Sequence, residues 1–307
     1  MKNLFIILLL GSQIFSQDII GEGLYENELI IYLQNNYKTN STLGYTDARD
    51  TLYLRIDRIN GQVKGIYTNY SVTLPSSGVD PSTHLYNNGI NCEHVWPQSL
   101  GSGSEPQRSD MHILRPCKEN VNSARGNNPF NEINDNQTDT WYWQNTQSSN
   151  IPSANINEYS ENDGGNFFEP REDRKGDIAR TMFYFYTIYP NVADNHFFQN
   201  QKDVLKTWHE LDPPDIDEIN RTWSIAAYQN NKPNPFILDA SLIERAYFFT
   251  GIILGDINGD GGLNVLDVVS LINVVIGEQA CNEVSDINED GTCNILDAVL
   301  LINIILS

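Results

Sequence analysis

The chain has few positive charges: its 307 residues include 19 Lys and Arg against 40 Asp and Glu, a formal net charge of −21. A surface of this charge repels nucleic acid at long range, so any polyanionic ligand has to be bound through local fields rather than through overall attraction. Apolar residues make up 40% of the chain. That share is enough for one large domain and one small domain, each with its own core.

The chain also lacks a long apolar run after its amino terminus, and crossing a bilayer as a helix takes about 20 apolar residues. At the amino terminus, Lys2 precedes an apolar run from Leu4 to Leu10, and Ser16 is a small residue suited to cleavage. We interpret residues 1–16 as an export signal; the alternative is a buried amino-terminal strand or helix. The mature protein is then expected to be secreted, either extracellular or associated with the cell surface, without a membrane span.

Cysteine is scarce, and the four cysteines fall into two pairs that are close in sequence. Neither pair has the C-x-x-C spacing of zinc sites, and an even number of cysteines in an exported chain permits disulfides. We expect the bridges Cys92–Cys117 and Cys281–Cys293. The alternative is four buried free thiols.

Apolar periodicity predicts an α+β fold in which a mainly helical domain over residues 17–251 precedes a small all-α domain over residues 252–307. Helical spacing indicates helices within 24–60 (with a polar break at 39–46), 118–126, 177–189, 204–211, 215–230 and 241–249. Alternating and β-branched residues predict strands at 62–74, 90–96 and 110–115. The polar stretch 131–170 carries Trp141, Tyr142 and Trp143, which either form a stacking surface for bases or cover the core.

Two loops repeat near the carboxyl terminus with an offset of 30 residues. Both have oxygen-bearing residues at loop positions 1, 3, 5, 9 and 12 and Gly at position 6, which is the spacing of an EF-hand-type calcium loop. The expected ligands are Asp256, Asn258, Asp260, Gly262 (carbonyl), Asn264 and Asp267 in the first loop, and Asp286, Asn288, Asp290, Thr292 (carbonyl), Asn294 and Asp297 in the second. The alternative is two Asp- and Asn-rich turns without metal.

An apolar helix follows each loop, at Val268 to Ile276 and at Ala298 to Ile305, with no matching helix before it. This half-EF-hand pattern resembles type I dockerin modules, and the resemblance covers residues 255–307. Residues 252–307 hold nine carboxylates and no Lys or Arg, so folding should be coupled to the binding of two structural Ca²⁺ ions. The resemblance implies docking onto a cohesin-type receptor.

A candidate catalytic group stands at Glu93 and His94, within the string Asn-Cys-Glu-His-Val-Trp-Pro-Gln-Ser. A neutral His is a suitable base for activating water near neutral pH. Glu93 and Asn122 can supply the oxygen ligands that a hard cation such as Mg²⁺ prefers. Adjacent strand residues point to opposite faces, so Glu93 and His94 share one metal only if the backbone is irregular there.

Together with Asp-x-His-x-Leu-Arg-Pro at 110–116 and Asn-x-x-Arg-x-Asn at 122–127, this string resembles the bacterial endonuclease I family. The resemblance spans roughly residues 45–250 and includes the upstream string Ala-Arg-Asp-Thr-Leu-Tyr at 48–53. It implies a ββα-metal core and a hydrolase that cuts DNA, and often RNA, to leave 5′-phosphates with one Mg²⁺. By that similarity His94 is the general base, Glu93 and Asn122 are the Mg²⁺ ligands, and Arg125 faces the same site and holds the phosphate. Asp110 and His112 would support the site.

Residues 17–251 hold 31 acidic and 18 basic residues. Arg108, Arg115, Lys118 and Arg125 lie close together in sequence and are expected to form a local positive cleft with the cation, giving salt-sensitive substrate binding. Two alternatives to a nuclease remain. One is a catalytically inactive calcium-dependent interaction protein; the other, a polysaccharide-degrading enzyme, lacks support from paired carboxylates at glycosidase motifs.

Overall fold

The computed structural model describes residues 19–306, and the predicted export signal at 1–16 lies outside them. The helices are α1 Glu26–Tyr37, α2 Tyr45–Thr51, α3 Pro81–Asn87, α4 Glu119–Arg125, α5 Lys175–Ile188, α6 Asn195–Gln199, α7 Lys202–Leu211, α8 Ile216–Ala226, α9 Pro235–Leu238, α10 Leu242–Tyr247, α11 Val265–Val275 and α12 Ile295–Leu306. The strands are β1 Arg58–Ile59, β2 Gln62–Lys64, β3 Ser71–Thr73, β4 Ile90–His94, β5 Leu114–Lys118, β6 Thr140–Trp143, β7 Thr146–Ser148, β8 Ser160–Asn162 and β9 Phe168–Glu169. The fold thus mixes helices and strands, as the sequence predicts.

Helix α5 runs through the centre of the main core and is buried along nearly its whole length. It is apolar on more than one side, which is the pattern of a helix enclosed by other elements rather than one lying on a surface. Phe185 stacks on Trp96, with ring centroids 4.6 Å apart. Its buried Arg180 pairs with Glu218 of α8, so the charge that the helix carries into the core is compensated.

Strands β4 and β5 form an antiparallel pair, and α4 follows β5 without a loop. The register places Glu93 opposite Arg115 and His94 opposite Leu114. Strand β5 begins at Leu114 rather than at residue 110, because the Asp110 side chain accepts from the His112 amide 3.0 Å away and closes a turn. Helix α4 ends at Arg125, and its C-cap is Gly126, whose φ of 53° suits glycine.

The predicted strand at 62–74 is instead two strands of a three-stranded sheet, ordered β1-β2-β3. The chain turns between β2 and β3, with Asn69 in the left-handed region at φ 58°. Gly65 lies close to the backbone of β5, because a Cβ there would meet the amide nitrogen of Lys118 at 3.0 Å. This turn therefore packs against the β4–β5 pair.

The polar stretch 131–170 contains a second, four-stranded sheet, ordered β7-β6-β8-β9. Trp141 is 0% exposed and Tyr142 is buried. The indole of Trp143 donates to Glu158 over 3.0 Å. The arrangement favours the interpretation that these aromatics cover the core over the interpretation that they form an open stacking surface.

Residues 254–306 form two loop–helix units whose helices, α11 and α12, pack on a small apolar cluster that includes Leu271 and Leu301. Helix α11 begins at Val265, three residues earlier than predicted, because Asn264 and Asp267 form a capping box. The first loop contacts α1, since the Asn264 amide donates to Glu28 over 2.8 Å. Among residues 19–306 no helix combines the length and the apolar character that crossing a membrane requires.

Candidate active site

Glu93 is 2% exposed and occupies the face of β4 that contacts α4. The hydroxyl of Tyr67 donates to its Oε1 over 2.7 Å, and Nη1 of Arg125 lies 3.4 Å from the same oxygen. Burial raises the pKa of the Glu93 carboxyl, while Arg125 and Tyr67 act to lower it. One carboxylate oxygen is thus anchored by two donors.

Asn122, on α4, is tied to the same strand. Its amide nitrogen donates to Oδ1 of Asn91 over 2.8 Å and to the carbonyl of Cys92 over 3.2 Å. Tyr67 and Arg125 engage Oε1 of Glu93, and the hydrogen bonds of Asn122 to β4 use its amide nitrogen. A carboxylate and an amide oxygen held on adjacent elements are ligands that fit one hard cation such as Mg²⁺.

Arg125 is 0% exposed, and its side chain lies beside Glu93. Its Nη2 donates to the carbonyl of Val95 over 2.7 Å, and its Nη1 donates to the carbonyl of His94 over 3.3 Å. The guanidinium also lies over the ring of Phe130, 4.5 Å from the centroid. In this arrangement the arginine fastens α4 to the end of β4, and its donors are directed into the protein rather than towards a phosphate.

His94 is the last residue of β4 and is 5% exposed. Its Nε2 lies 3.0 Å from the carbonyl of Arg108, and because a carbonyl only accepts, Nε2 carries the proton. Gln98 then donates to Nδ1 over 3.2 Å. Burial lowers the pKa of His94 to about 4, and the charges of Arg108 and Arg49 act in the same direction. The imidazole is therefore neutral near pH 7, with its lone pair on Nδ1.

The structure does not bring the side chains of Glu93 and His94 together. They are consecutive residues of a regular strand, and their contacts lie on different sides: Tyr67 and Arg125 for Glu93, Gln98 and the Arg108 carbonyl for His94. Glu93, Asn122 and Arg125 form one group, where α4 packs against β4. His94 belongs to a second group at the end of the strand.

The second group contains residues that the sequence analysis did not assign. The ring of Tyr45 lies 5.3 Å from that of His94. The guanidinium groups of Arg49 and Arg108 each lie over the Tyr45 ring, 4.5 Å from its centroid. Arg49 stands in the upstream string 48–53 that carries part of the family resemblance, which is the one signal that points to it; nothing in the sequence singles out Tyr45.

The expected positive cleft of four neighbouring basic residues is dispersed. Arg108 lies beside His94, Arg125 is enclosed, and Arg115 is buried with Asp177 at 3.7 Å. The ammonium of Lys118 lies over the ring of Tyr70, 5.2 Å from its centroid. Residues that are close in sequence do not form one positive surface here, because successive positions on β5 and α4 face different neighbours.

Asp110 and His112 support the framework. Asp110 is 0% exposed and accepts from the hydroxyls of Tyr184 and Tyr189, each over 2.8 Å, and from Gln229 over 2.9 Å. The Nε2 of His112 donates to the carbonyl of Lys232 over 2.8 Å. Both side chains therefore join the β4–β5 region to the helical core.

One expected disulfide is absent, because Cys92 and Cys117 are free thiols. The register pairs Cys92 with Pro116 and Cys117 with Asn91, so the two cysteines occupy opposite faces of the β4–β5 pair. Cys281 and Cys293 are joined in a disulfide with their Cα atoms 5.6 Å apart.

The two carboxyl-terminal loops have matching internal hydrogen bonds. The Gly261 amide donates to Asp256 over 2.9 Å, and the Gly291 amide donates to Asp286 over 2.7 Å. Both glycines have positive φ, as the sharp turn at position 6 requires. In the first loop, carboxylate oxygens of Asp256, Asp260 and Asp267 lie within 4.8 Å of one another, a concentration of negative charge that a Ca²⁺ ion would offset.

The family model for Endonuclease I matches residues 26–241, and the model for the dockerin type I domain matches residues 254–306. The chain is 35% identical over 164 residues to an extracellular ribonuclease of Bacillus amyloliquefaciens, covering 48% of this chain and 50% of that protein. It is 36% identical over 163 residues to an extracellular ribonuclease of Bacillus subtilis (strain 168), with the same coverage of 48% and 50%. The chain thus spans about half the length of the curated relatives it matches.

Proposed function

The chain belongs to the endonuclease I family, and from this premise we propose that residues 17–251 form a secreted, Mg²⁺-dependent endonuclease. The proposed reaction is hydrolysis of phosphodiester bonds in RNA or DNA that leaves 5′-phosphate ends. The relatives named as extracellular ribonucleases support RNA as a substrate and export as the destination. The small number of basic residues favours substrate binding through a local site.

The observation that carries the proposal is the state of His94. Its Nε2–H is fixed by the Arg108 carbonyl, so Nδ1 is the basic atom. The exposed side chain of Gln98 covers Nδ1, so a water molecule that approaches Nδ1 displaces a surface amide rather than a core residue. A neutral imidazole with a fixed tautomer, whose Nδ1 contacts only a surface amide that water can displace, is suited to general-base catalysis.

Glu93 and Asn122 would hold a single Mg²⁺ through their side-chain oxygens. When bound, the ion supplies positive charge against the negative charge that develops on the phosphorane-like transition state. Arg125 acts as a positioning residue, because it fixes α4, and with it Asn122, against the carbonyls of His94 and Val95.

In the proposed reaction, Nδ1 of His94 accepts a proton from water while the water oxygen bonds to phosphorus. The bond from phosphorus to the 3′ oxygen breaks, and the departing oxygen takes a proton from solvent. The phosphate therefore stays on the 5′ side. The buried position of His94 holds the imidazole in one orientation throughout.

Residues 252–307 are proposed as a dockerin-type module that binds two Ca²⁺ ions and docks on a cohesin-type receptor. Helices α11 and α12 support this proposal, because apolar side chains remain exposed along them, including Val265, Val269, Ile295 and Val299. The module would hold the nuclease at a cell surface or in an extracellular assembly.

The experiment that tests this function is cleavage of RNA and of plasmid DNA by the full chain with Ca²⁺ present, with and without Mg²⁺, followed by analysis of the product ends. We expect Mg²⁺-dependent internal cleavage with 5′-phosphates. Products with 5′-hydroxyls would contradict the proposed bond scission. Absence of cleavage with Mg²⁺, Mn²⁺ or any other divalent ion would support the catalytically inactive interaction protein instead.

A further inference from the structure

Arg49 and Arg108 both lie over the ring of Tyr45, next to His94. Both guanidinium carbons lie 4.5 Å from the ring centroid, and the ring is 5.3 Å from that of His94. Arg49 comes from α2 and Arg108 from the segment before β5, so two distant parts of the chain bring their positive charges to the same place. Tyr45 positions both arginines through their cation–π contacts.

Neither of these two arginines, which share one ring, has a carboxylate partner at ion-pair distance within residues 19–306. By contrast, Arg171, Arg180 and Arg221 each pair with a carboxylate. The Nε atoms of Arg49 and Arg108 are buried and have no hydrogen-bond partner. Two half-buried guanidinium groups without counter-ions repel each other, and a bound anion would offset that repulsion.

The nature of the anion follows from the donors. Each planar guanidinium group can donate two parallel N–H bonds to an oxyanion. A tetrahedral oxyanion can accept such pairs from both arginines, whereas a single carboxylate cannot. Because the Tyr45 ring that both arginines contact is 5.3 Å from the imidazole of His94, an anion held by them would lie near that imidazole.

We propose that Arg49 and Arg108 form the phosphate-holding site of the enzyme, with Tyr45 and His94 beside them, in the role that the family resemblance implies for Arg125. The identity of the anion as the scissile phosphodiester rests on the proposed function. The proposal of an oxyanion site at this position does not, because it is argued from the two guanidinium groups and the ring that they share.

The test measures oxyanion binding without catalysis. Sulfate is added to the full chain with Ca²⁺ kept low enough that calcium sulfate does not precipitate and with Mg²⁺ absent, since sulfate is a tetrahedral oxyanion. Binding is followed through the ring C–H resonances of His94 in NMR spectra, assigned with His94→Ala, and compared with chloride at equal ionic strength. The variants are Arg49→Gln and Arg108→Gln, with the exposed Arg55→Gln as the matched control.

We expect sulfate to shift the His94 resonances in the wild type and in Arg55→Gln. Each of Arg49→Gln and Arg108→Gln should weaken sulfate binding by about tenfold or more, because one charge-assisted pair is lost. The Arg49→Lys and Arg108→Lys variants should retain a weaker response, since they keep the charge but lose the planar donor pair. Folding of each variant is checked by near-UV circular dichroism.

A wild type whose His94 resonances respond equally to sulfate and chloride would overturn the proposal, as would Gln variants that bind sulfate as the wild type does. With RNA, Arg49→Gln and Arg108→Gln should lose most of kcat/KM while Arg55→Gln keeps it. Unchanged cleavage by the two Gln variants would refute the phosphate role and leave the nuclease assignment standing. A wild type that binds sulfate at this site but cleaves nothing would uphold the oxyanion site and refute the proposed function.

Discussion

Replacing Arg125 with Met tests whether this residue fastens the structure or holds phosphate. The substitution removes the donors to the buried carbonyls of His94 and Val95. An unsatisfied buried acceptor costs about 1–3 kcal/mol. The buried Glu93 carboxylate also loses its positive neighbour, and breaking a buried ion pair costs about 3–5 kcal/mol. Because these terms overlap, we expect the free energy of unfolding to fall by about 3–5 kcal/mol.

The assay is urea unfolding at constant Ca²⁺, followed by tryptophan fluorescence. All five tryptophans lie between residues 96 and 223, so the signal reports on the larger domain and not on the calcium loops. With a slope of about 2–3 kcal/mol per molar urea, the midpoint should fall by more than about 1 M. Arg125→Lys should fall by less, and the exposed Arg55→Met should leave the midpoint unchanged.

An Arg125→Met protein that unfolds at the wild-type urea midpoint while losing cleavage activity would refute this reasoning. That result would mean that the guanidinium turns out of the core to meet substrate. The expected pattern is a loss of stability, and Arg125→Lys should recover part of the stability together with the activity.

Three further predictions concern other parts of the chain. Asp110→Asn should lower the free energy of unfolding by about 2–4 kcal/mol, because four hydrogen bonds converge on this carboxylate. The activity of the folded protein should change little. A large loss of kcat at unchanged stability would contradict a supporting role. Glu28→Gln should weaken calcium binding at the first loop roughly threefold to tenfold in calorimetric titrations, because it removes a negative charge beside that loop. Glu22→Gln is the control, and an equal effect of that variant would contradict a specific role of Glu28. Replacing Cys281 and Cys293 by Ser opens a loop closed by residues 12 positions apart, and it should destabilise the module of residues 252–307 by about 2–3 kcal/mol. The measurement is thermal unfolding in Ca²⁺. An unchanged melting temperature of the module would count against this prediction.

Local sequence patterns predicted the parts of this protein that depend on neighbours along the chain. Short strands around residues 90 and 114, the helix that follows the second strand, and the glycines of both carboxyl-terminal loops all follow from spacing and residue type. The family resemblance was equally local, since its motifs lie within short strings.

Features that depend on register and long-range packing were not predictable in this way. Cys92 and Cys117 are close in sequence, yet the strand register places them on opposite faces. Arg125 follows Asn122 by one helical turn, but the depth of α4 against β4 decides that its guanidinium meets main-chain carbonyls. Arg49 and Arg108 meet at one ring only because α2 lies beside the segment before β5. The periodicity of the sequence does not predict that contact between distant parts of the chain.

The most direct test of the central claim is single-turnover cleavage of end-labelled RNA by the wild type and by His94→Ala, at neutral pH with Mg²⁺ and Ca²⁺. Losing a general base reduces the rate by about 10²–10⁴-fold, and we expect a loss of that size without a change in folding. The exposed His196→Ala is the matched control and should cleave at the wild-type rate. A His94→Ala protein that cleaves as fast as the wild type would rule out His94 as the general base.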